Sequence, residues 1–426
     1  MSRFGPALGE RDFRLWWFGL LGMVVSLQML EVAIGWEVYA QHRSALDLGW
    51  IGLAEFLPML LFALPAGHLA DRFPRRLVFA ASLALGAAVG VGLALISASG
   101  TVSVWPYLGL AFAAGTSMAF GSPASRAMAP TLVSRDLLAS AMTLRSIAAQ
   151  AGQVIGPALG GGLYGVSPAL VYSLAGAVCL LAAGSVLRMR AGPSGGVRTG
   201  AIADQPVSAR DGLEGLRFVG RTQILLGAIL LDLLAVLFGG AVALLPIFAR
   251  SILHVGPTGL GILRAAPAVG ALIAGAVLTR RPLGGRAGRT LLVVVGLFGA
   301  SMVVFGLSRV YLLSLLALAV SGYVDLYSMN IRSTTVALAT PDRLRGRVNA
   351  IEMVFISASN QLGAFESGLA AFVFGTVPAV VGGGVITVVI ALGWRRLFPA
   401  LASVDRLEAL RPVEPAETAA PVPTPI

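Results

Sequence analysis

Apolar residues along the chain gather in blocks of about twenty, long enough as helices to cross a hydrocarbon core ~30 Å thick, and polar residues collect in short runs between them. About twelve blocks can be laid between Trp16 and Pro399, at approximately 15–40, 48–70, 77–98, 104–124, 139–165, 168–188, 222–250, 258–279, 290–308, 311–331, 347–374 and 377–398. The pattern predicts an all-α membrane protein whose even number of crossings returns both ends to one side of the bilayer. The longest interior polar stretch follows the sixth block. The expected organisation is an N-terminal segment over about 1–14, a six-helix bundle over 15–188, a linker over 189–221 and a second six-helix bundle over 222–398. A tail over about 399–426, rich in Pro, Ala and Glu, is expected to be disordered. Within the linker, Leu213, Leu216 and Phe218 predict a short surface helix.

Composition sharpens this picture. The chain is 57% hydrophobic and 12% charged over 426 residues, too apolar for a water-soluble domain of that length. Its formal charge of +11 would suit a nucleic-acid binder, but the sequence holds no lysine and its arginines bound apolar runs in short clusters. Arg72, Arg75 and Arg76 follow the second block, Arg188 and Arg190 the sixth, Arg280, Arg281, Arg286 and Arg289 the eighth, and Arg395 and Arg396 the last. Arg43, Arg250 and Arg309 stand alone on the opposite side. This bias predicts that both termini are cytoplasmic. The one cysteine, Cys179, excludes intrachain disulfides, and no separate cleavable leader is expected before the first long block.

The two halves repeat each other. Arg126 precedes Asp136 by ten positions and Arg332 precedes Asp342 by the same ten (332−126 = 342−136 = 206). Gly52, Glu55 and Pro58 correspond to Gly261, Arg264 and Pro267 at one offset (261−52 = 264−55 = 267−58 = 209), which places an acid and a base at equivalent depths. Parallel repeats of this kind imply a central cleft between the halves.

Between the second and third blocks runs Gly67-His68-Leu69-Ala70-Asp71-Arg72-Phe73-Pro74-Arg75-Arg76, a tight turn with one acid among several guanidinium groups. It resembles the loop signature of the major facilitator superfamily, departing where Pro74 replaces the usual second glycine. The resemblance implies the major facilitator fold, with 12 transmembrane helices in two pseudo-symmetric bundles, and a gating role for Gly67, Asp71, Arg72 and Arg75; topology signalling alone is the plainer reading. On the fifth block, Gly152-Gln153-Val154-Ile155-Gly156-Pro157-Ala158-Leu159-Gly160-Gly161 sets glycines at fourfold spacing on one face. It matches the motif of the superfamily's drug and proton antiporters, with Gly152, Gly156, Pro157, Gly160 and Gly161 as its marks, although a packing seam needs no more than the glycines. Asp342 to Ala350, Ser359 to Gly368, Leu231 to Gly240 and Arg264 to Ala271 are similar to the enterobactin-exporter-like branch. That branch implies proton-driven export, across a bacterial inner membrane, of a siderophore or another amphipathic metabolite or drug, hence efflux and multidrug-resistance activity. An uptake permease or a non-transporting membrane sensor on the same fold is the alternative.

A charged side chain at mid-bilayer costs roughly 2.5–3.5 kcal/mol, so each acid and amide in these blocks should face protein or a wet cleft. Gln28, Glu31, Gly35 and Tyr39 share one sector of the first helix. Glu31 and, on the seventh, Asp232 are the candidates for proton carriage, each with a hydrogen-bonded structural role as the alternative. Glu55 and Arg264 are expected to pair between the halves, as an outer gate or a staple. Glu352, Ser359, Gly363 and Glu366 recur on one face of the eleventh helix, with Asn360 and Gln361 beside it, and suit a polar cargo. Asp325, Gln150, Gln153 and Arg145 are further cleft candidates. Most of Trp16, Trp17, Trp36, Trp50, Trp105 and Trp394 are expected at the headgroup level.

The motifs of enzymes are missing: His42, His68 and His254 lie far apart and no phosphate-binding glycine loop or paired-histidine zinc motif occurs. The expectation is a transporter, monomeric, with small-molecule cargo, protons and membrane lipid as partners and with no cofactor, metal or nucleic acid.

Overall fold

A computed structural model describes residues 5–62, 65, 72–190, 209–280 and 285–412. Six long helices form the first half: α1 (Arg11–His42), α2 (Ala45–Leu61), α3 (Arg75–Ser99), α4 (Trp105–Met128), α5 (Leu138–Tyr164) and α6 (Pro168–Leu187). Six more form the second: α7 (Gln223–Gly239), α8 (Pro257–Arg280), α9 (Ala287–Leu307), α10 (Tyr311–Ala339), α11 (Arg345–Phe374) and α12 (Thr376–Leu397). Local chemistry sets the ends. Arg43 takes a left-handed conformation after α1, and the Ser44 hydroxyl then accepts from Asp47 N–H at 3.2 Å to start α2. Gly100, at φ 67°, closes α3 without the Cβ clash another residue would meet there.

Eight helical spans are long and apolar enough to cross a membrane on those grounds alone. Helices α2, α4, α5 and α11 fall short among the described residues. Three of these, α2, α5 and α11, carry the polar side chains and glycines that meet between the halves, where apolarity is least needed.

The repeat read from sequence is a repeat of packing. In the first half α1 packs on α5, α2 on α4, and α3 on α4 and α6; in the second α7 packs on α11, α8 on α10, and α9 on α10 and α12. The two main contacts between halves, α2 with α11 and α5 with α8, also exchange under the same shift of six helices. Among the described residues, buried side chains form four clusters, one of which draws on both halves: Trp36, Tyr39 and Leu48 with Phe248, Leu263 and Phe305, at the end opposite the arginine clusters. The halves therefore share a core at the arginine-poor end and keep separate cores, around Trp16 and around Trp394, at the arginine-rich end.

Three expectations need correction. The seventh block is not one helix. It stops at Gly239, passes through a 3-10 turn at Val242–Leu244, restarts at Leu245 and ends in a π-helical turn, Phe248–Ile252. Two successive glycines and Pro246 interrupt the backbone ladder there, and the Ser367 hydroxyl of α11 donates to the freed Gly240 carbonyl at 2.9 Å. Next, the chain after Pro399 is ordered to Pro412: Leu401 and Val404 are buried. The unsatisfied N–H groups opening α9 hold it. Arg286 N–H donates to Asp405 Oδ1 at 2.7 Å, Ala287 N–H to the Asp405 carbonyl at 2.9 Å and Gly288 N–H to the Val404 carbonyl at 2.9 Å. Residues 413–426 lie outside the described residues.

Finally, the tryptophans are mostly helix staples rather than headgroup anchors. Trp16 and Trp394 are buried, and their indole N–H groups donate to carbonyls of Ser125 and Gly227, both at 3.1 Å; Trp17 donates to Leu144 at 2.8 Å. Trp36 lies under the Arg250 guanidinium, 5.4 Å from the ring centre. Trp50 and Trp105 are exposed, as the belt expects. The surface helix of the linker spans Ala209–Arg221, with Phe218 buried and Leu216 exposed.

Candidate functional site

A cavity of about 260 Å³ lies between the halves, walled by α1, α2, α8, α11 and the broken segment after α7. Its polar wall is Glu31 of α1, Glu55 of α2, Arg264 of α8 and Asn360 and Gln361 of α11. Its apolar wall includes Leu48, Ile51, Val242, Pro246 and Ala364. Breaking the seventh block after Gly239 is what turns Val242, Ala243 and Pro246 toward this space.

Arg264 Nη2 pairs with Glu31 Oε2, joining the first and second halves through side chains each less than one-fifth exposed. The expected pairing with Glu55 is thus corrected: Arg264 takes the acid of α1, and Glu55 lines the same cavity beside them. Repeat symmetry puts Glu55 and Arg264 at equivalent depths, but the partner is chosen by which helices converge, and α8 meets α1 as well as α5. Arg264 Nε is buried without a hydrogen-bond partner. Such a donor carries a cost of about 1–3 kcal/mol that an acceptor in the cavity would relieve.

On the arginine-poor side of the cavity the two halves approach backbone to backbone. A Cβ at Gly161 would stand 2.3 Å from the Pro257 carbonyl oxygen, one at Gly261 2.3 Å from that of Pro157, and one at Gly368 2.8 Å from Gly49 Cα. Only glycine permits α5 to meet α8, and α2 to meet α11, at that distance. The remaining motif glycines serve a different seam, since side chains at Gly152, Gly156 and Gly160 would strike Val24, Gln28 and Met29 of α1. The glycine run is thus divided between an intrahalf seam and the interhalf closure.

A second charge cluster lies in the second half. Arg332 of α10 pairs with Asp232 of α7 at 2.7 Å, both nearly buried, so the acid that lacks a cation in its sequence neighbourhood acquires one in space. Asp325 and Glu352 fall within the electrostatic reach of this pair, Asp325 on the exposed surface of α10 and Glu352 half-buried.

Other predicted residues are placed elsewhere. Gln28 is half-buried under Gly156, and Tyr39 is buried with its hydroxyl 2.8 Å from Ser251 Oγ, so these two leave the cleft. Gln150 Nε2 donates across the halves to the Ala268 carbonyl at 3.0 Å, while Gln153 is exposed. On α11 the expected polar stripe splits. Ser359 is buried and donates to Ile356 of its own helix, and Gly363 packs on α7, so Asn360 and Gln361 face the cavity instead. Glu366 is half-buried outside the cavity lining. Arg145 is half-buried near Arg126, whose Nη1 reaches Met353 Sδ of α11 at 3.0 Å. Arg72 and Arg75 occupy the arginine-rich end, with Arg75 donating to the Ala127 carbonyl at 3.4 Å; Gly67 and Asp71 lie outside the described residues.

Sequence reasoning missed Glu37. It is buried on α1 and accepts from the hydroxyls of Tyr107 at 2.9 Å and Tyr172 at 2.5 Å. Its neighbours come from α4 and α6, so nothing local in the sequence marks it, and its bonds stay within the first half.

Comparison with known proteins agrees with this geometry. The chain is 27% identical over 331 residues to the enterobactin exporter of Citrobacter koseri, covering 77% of each chain, and 26% identical over 331 residues to that of Escherichia coli O81, again 77% of each. Its fold resembles an inward-facing bacterial homologue of the human lysosomal transporter Spinster, with TM-score 0.69, 14% identity and coverage of 92% of this chain and 97% of that one. It also resembles the inward-open xylose transporter of E. coli, with TM-score 0.67, 13% identity and coverage of 93% and 98%. The model of the family described as transmembrane secretion effector matches residues 1–422. With two equivalent bundles around a polar cavity and that match along nearly its whole length, the chain belongs to the transmembrane secretion effector family of major facilitator transporters, which are multi-pass membrane carriers and not enzymes.

Proposed function

We propose that this protein exports an amphipathic small molecule from a bacterial cytoplasm by proton antiport and alternating access, with both termini cytoplasmic. The observation that carries the reading is the ion pair of Glu31 with Arg264, which ties the two halves together at the wall of the shared cavity. Protonating Glu31 removes the charge that holds Arg264. Its guanidinium, with an Nε–H already unpartnered, then offers donors to an oxygen-bearing cargo. Conversely, a cargo that engages Arg264 releases Glu31 to take up a proton. Competition for one guanidinium thereby exchanges proton for cargo.

Glu55 sits beside the pair as a second acid, and Asn360 and Gln361 add neutral donors and acceptors opposite it. The apolar wall suits the remainder of an amphipathic molecule. Export is supported by the antiporter-type glycine run and by the relatives' function as enterobactin exporters. The arginine bias supports the orientation.

The test is enterobactin movement in proteoliposomes under an imposed pH gradient. Wild-type protein should drive it. Glu31→Gln should lose gradient-driven transport while retaining counterflow at equal pH, because cargo exchange does not need the titrating group. Unchanged gradient-driven transport in Glu31→Gln would remove Glu31 from coupling. Everted vesicles give the direction: accumulation inside them supports export, and depletion supports uptake.

A further inference from the structure

At the arginine-rich end, away from the central cavity, α9 begins and α12 ends around a second hollow of about 520 Å³. Arg286 and Arg289 line it from α9 and Arg395 from α12, and the turn after α12, from Pro399 to Asp405, closes one side. All three arginines are exposed. Among the described residues no carboxylate forms an ion pair with them. The one acid in the wall, Asp405, spends Oδ1 on the Arg286 backbone N–H. Even with Asp405 ionised, three guanidinium groups against one carboxylate leave the lining at +2 (3 − 1). Guanidinium groups are suited to a phosphate, whose oxygens accept pairs of their N–H donors, and three of them line this one hollow.

The setting selects the source of that phosphate. The α9–α12 pair is bordered by large exposed apolar side chains: Val293 and Leu297 of α9, and Val389, Leu392 and Leu397 of α12. In a chain that spans a bilayer, such a face meets acyl chains. The hollow therefore opens at headgroup depth directly above a lipid-facing helix pair, where a phosphodiester can sit among the arginines while its acyl tails follow the apolar seam.

We propose that Arg286, Arg289 and Arg395 form a binding site for the headgroup of an anionic phospholipid. The lipid bridges the start of α9 and the end of α12. It thereby also braces the ordered turn after α12, which already caps α9 through Val404 and Asp405.

The experiment uses the full-length protein in neutral detergent, with thermal unfolding followed as dioleoylphosphatidylglycerol, dioleoylphosphatidylcholine or inorganic phosphate is titrated in. Phosphatidylglycerol should raise the unfolding temperature, and phosphatidylcholine and inorganic phosphate at the same concentrations should not. Arg395→Gln should weaken the phosphatidylglycerol response roughly fivefold, and adding Arg289→Gln should weaken it roughly fivefold again, the fold-change that about 1 kcal/mol per arginine corresponds to. Arg309→Gln, at the opposite end, should leave it unchanged. Equal responses to the two lipids, or an unaltered response in the arginine variants, would overturn the site; an equal response to inorganic phosphate would overturn the lipid. Should the double variant fail to fold, native mass spectrometry of phosphatidylglycerol retained by wild type and by Arg395→Gln decides the same question, since equal retention refutes it.

Discussion

Replacing Gly161 by alanine should open the protein toward its arginine-poor side. A Cβ there would lie 2.3 Å from the Pro257 carbonyl oxygen and 2.8 Å from Gly261 Cα, both backbone atoms that cannot rotate away. Ordinary carbon–oxygen contact begins about 1 Å further out, so α5 and α8 must separate by roughly that amount or bear the overlap. Overpacking of this kind costs about 1–3 kcal/mol. The cost falls only on the arrangement in which these helix ends touch, so the equilibrium shifts away from it by roughly 5- to 150-fold. A cysteine placed at the cavity wall, Gln361→Cys, reports the change through labelling by a membrane-impermeant maleimide applied from the arginine-poor side. The native Cys179 is buried and contributes no background. Gly162→Ala is the control: a Cβ there meets nothing within 4 Å, yet it shares any gain in helix propensity, about 0.5–1 kcal/mol. Faster labelling in Gly161→Ala than in Gly162→Ala is the expected result. Equal labelling would refute the view that the Gly161–Gly261 contact holds this end shut.

Two further outcomes follow from the same packing. Arg332→Met should lower the stability of the second half by about 3–5 kcal/mol, because Asp232 is left nearly buried and uncompensated; adding Asp232→Asn should recover most of the loss, and a chemical-denaturation series showing no recovery would mean the pair is not the cause. Asp405→Ala should weaken the start of α9 by about 0.5–2 kcal/mol, read as faster hydrogen exchange at the amides of Arg286, Ala287 and Gly288, while the amides of α10 stay unchanged as an internal reference.

Much of the candidate site was legible in the sequence as a set of residues, and little of it as a set of partners. Glu31, Glu55, Arg264, Asn360 and Gln361 stand out because each is expensive in lipid, and all five line one cavity. Their pairing does not follow from cost. Repeat symmetry suggested Glu55 for Arg264, and the ion pair instead runs to Glu31 on a neighbouring helix. The stripe on α11 failed because its positions point apart: Ser359 bonds within its own helix and Gly363 packs on α7, while Asn360, turned about 100° from Ser359, reaches the cavity. Glu37 stayed hidden because the tyrosines that satisfy it come from α4 and α6.

The sequence by itself determined most of the helices, the division into two equivalent halves and the side on which arginines collect. Each of these is written in the linear order of residues, as local patterns or as a pattern that recurs, and in a solvent that penalises any exposed backbone or charge. Tertiary structure alone decided that α5 closes on α8 through Gly161 and Gly261, that Arg264 binds Glu31, that Arg332 answers Asp232, and that the turn after α12 caps α9. Those choices join residues as much as 233 positions apart. They are made by how whole helices fit, so no local pattern can anticipate them.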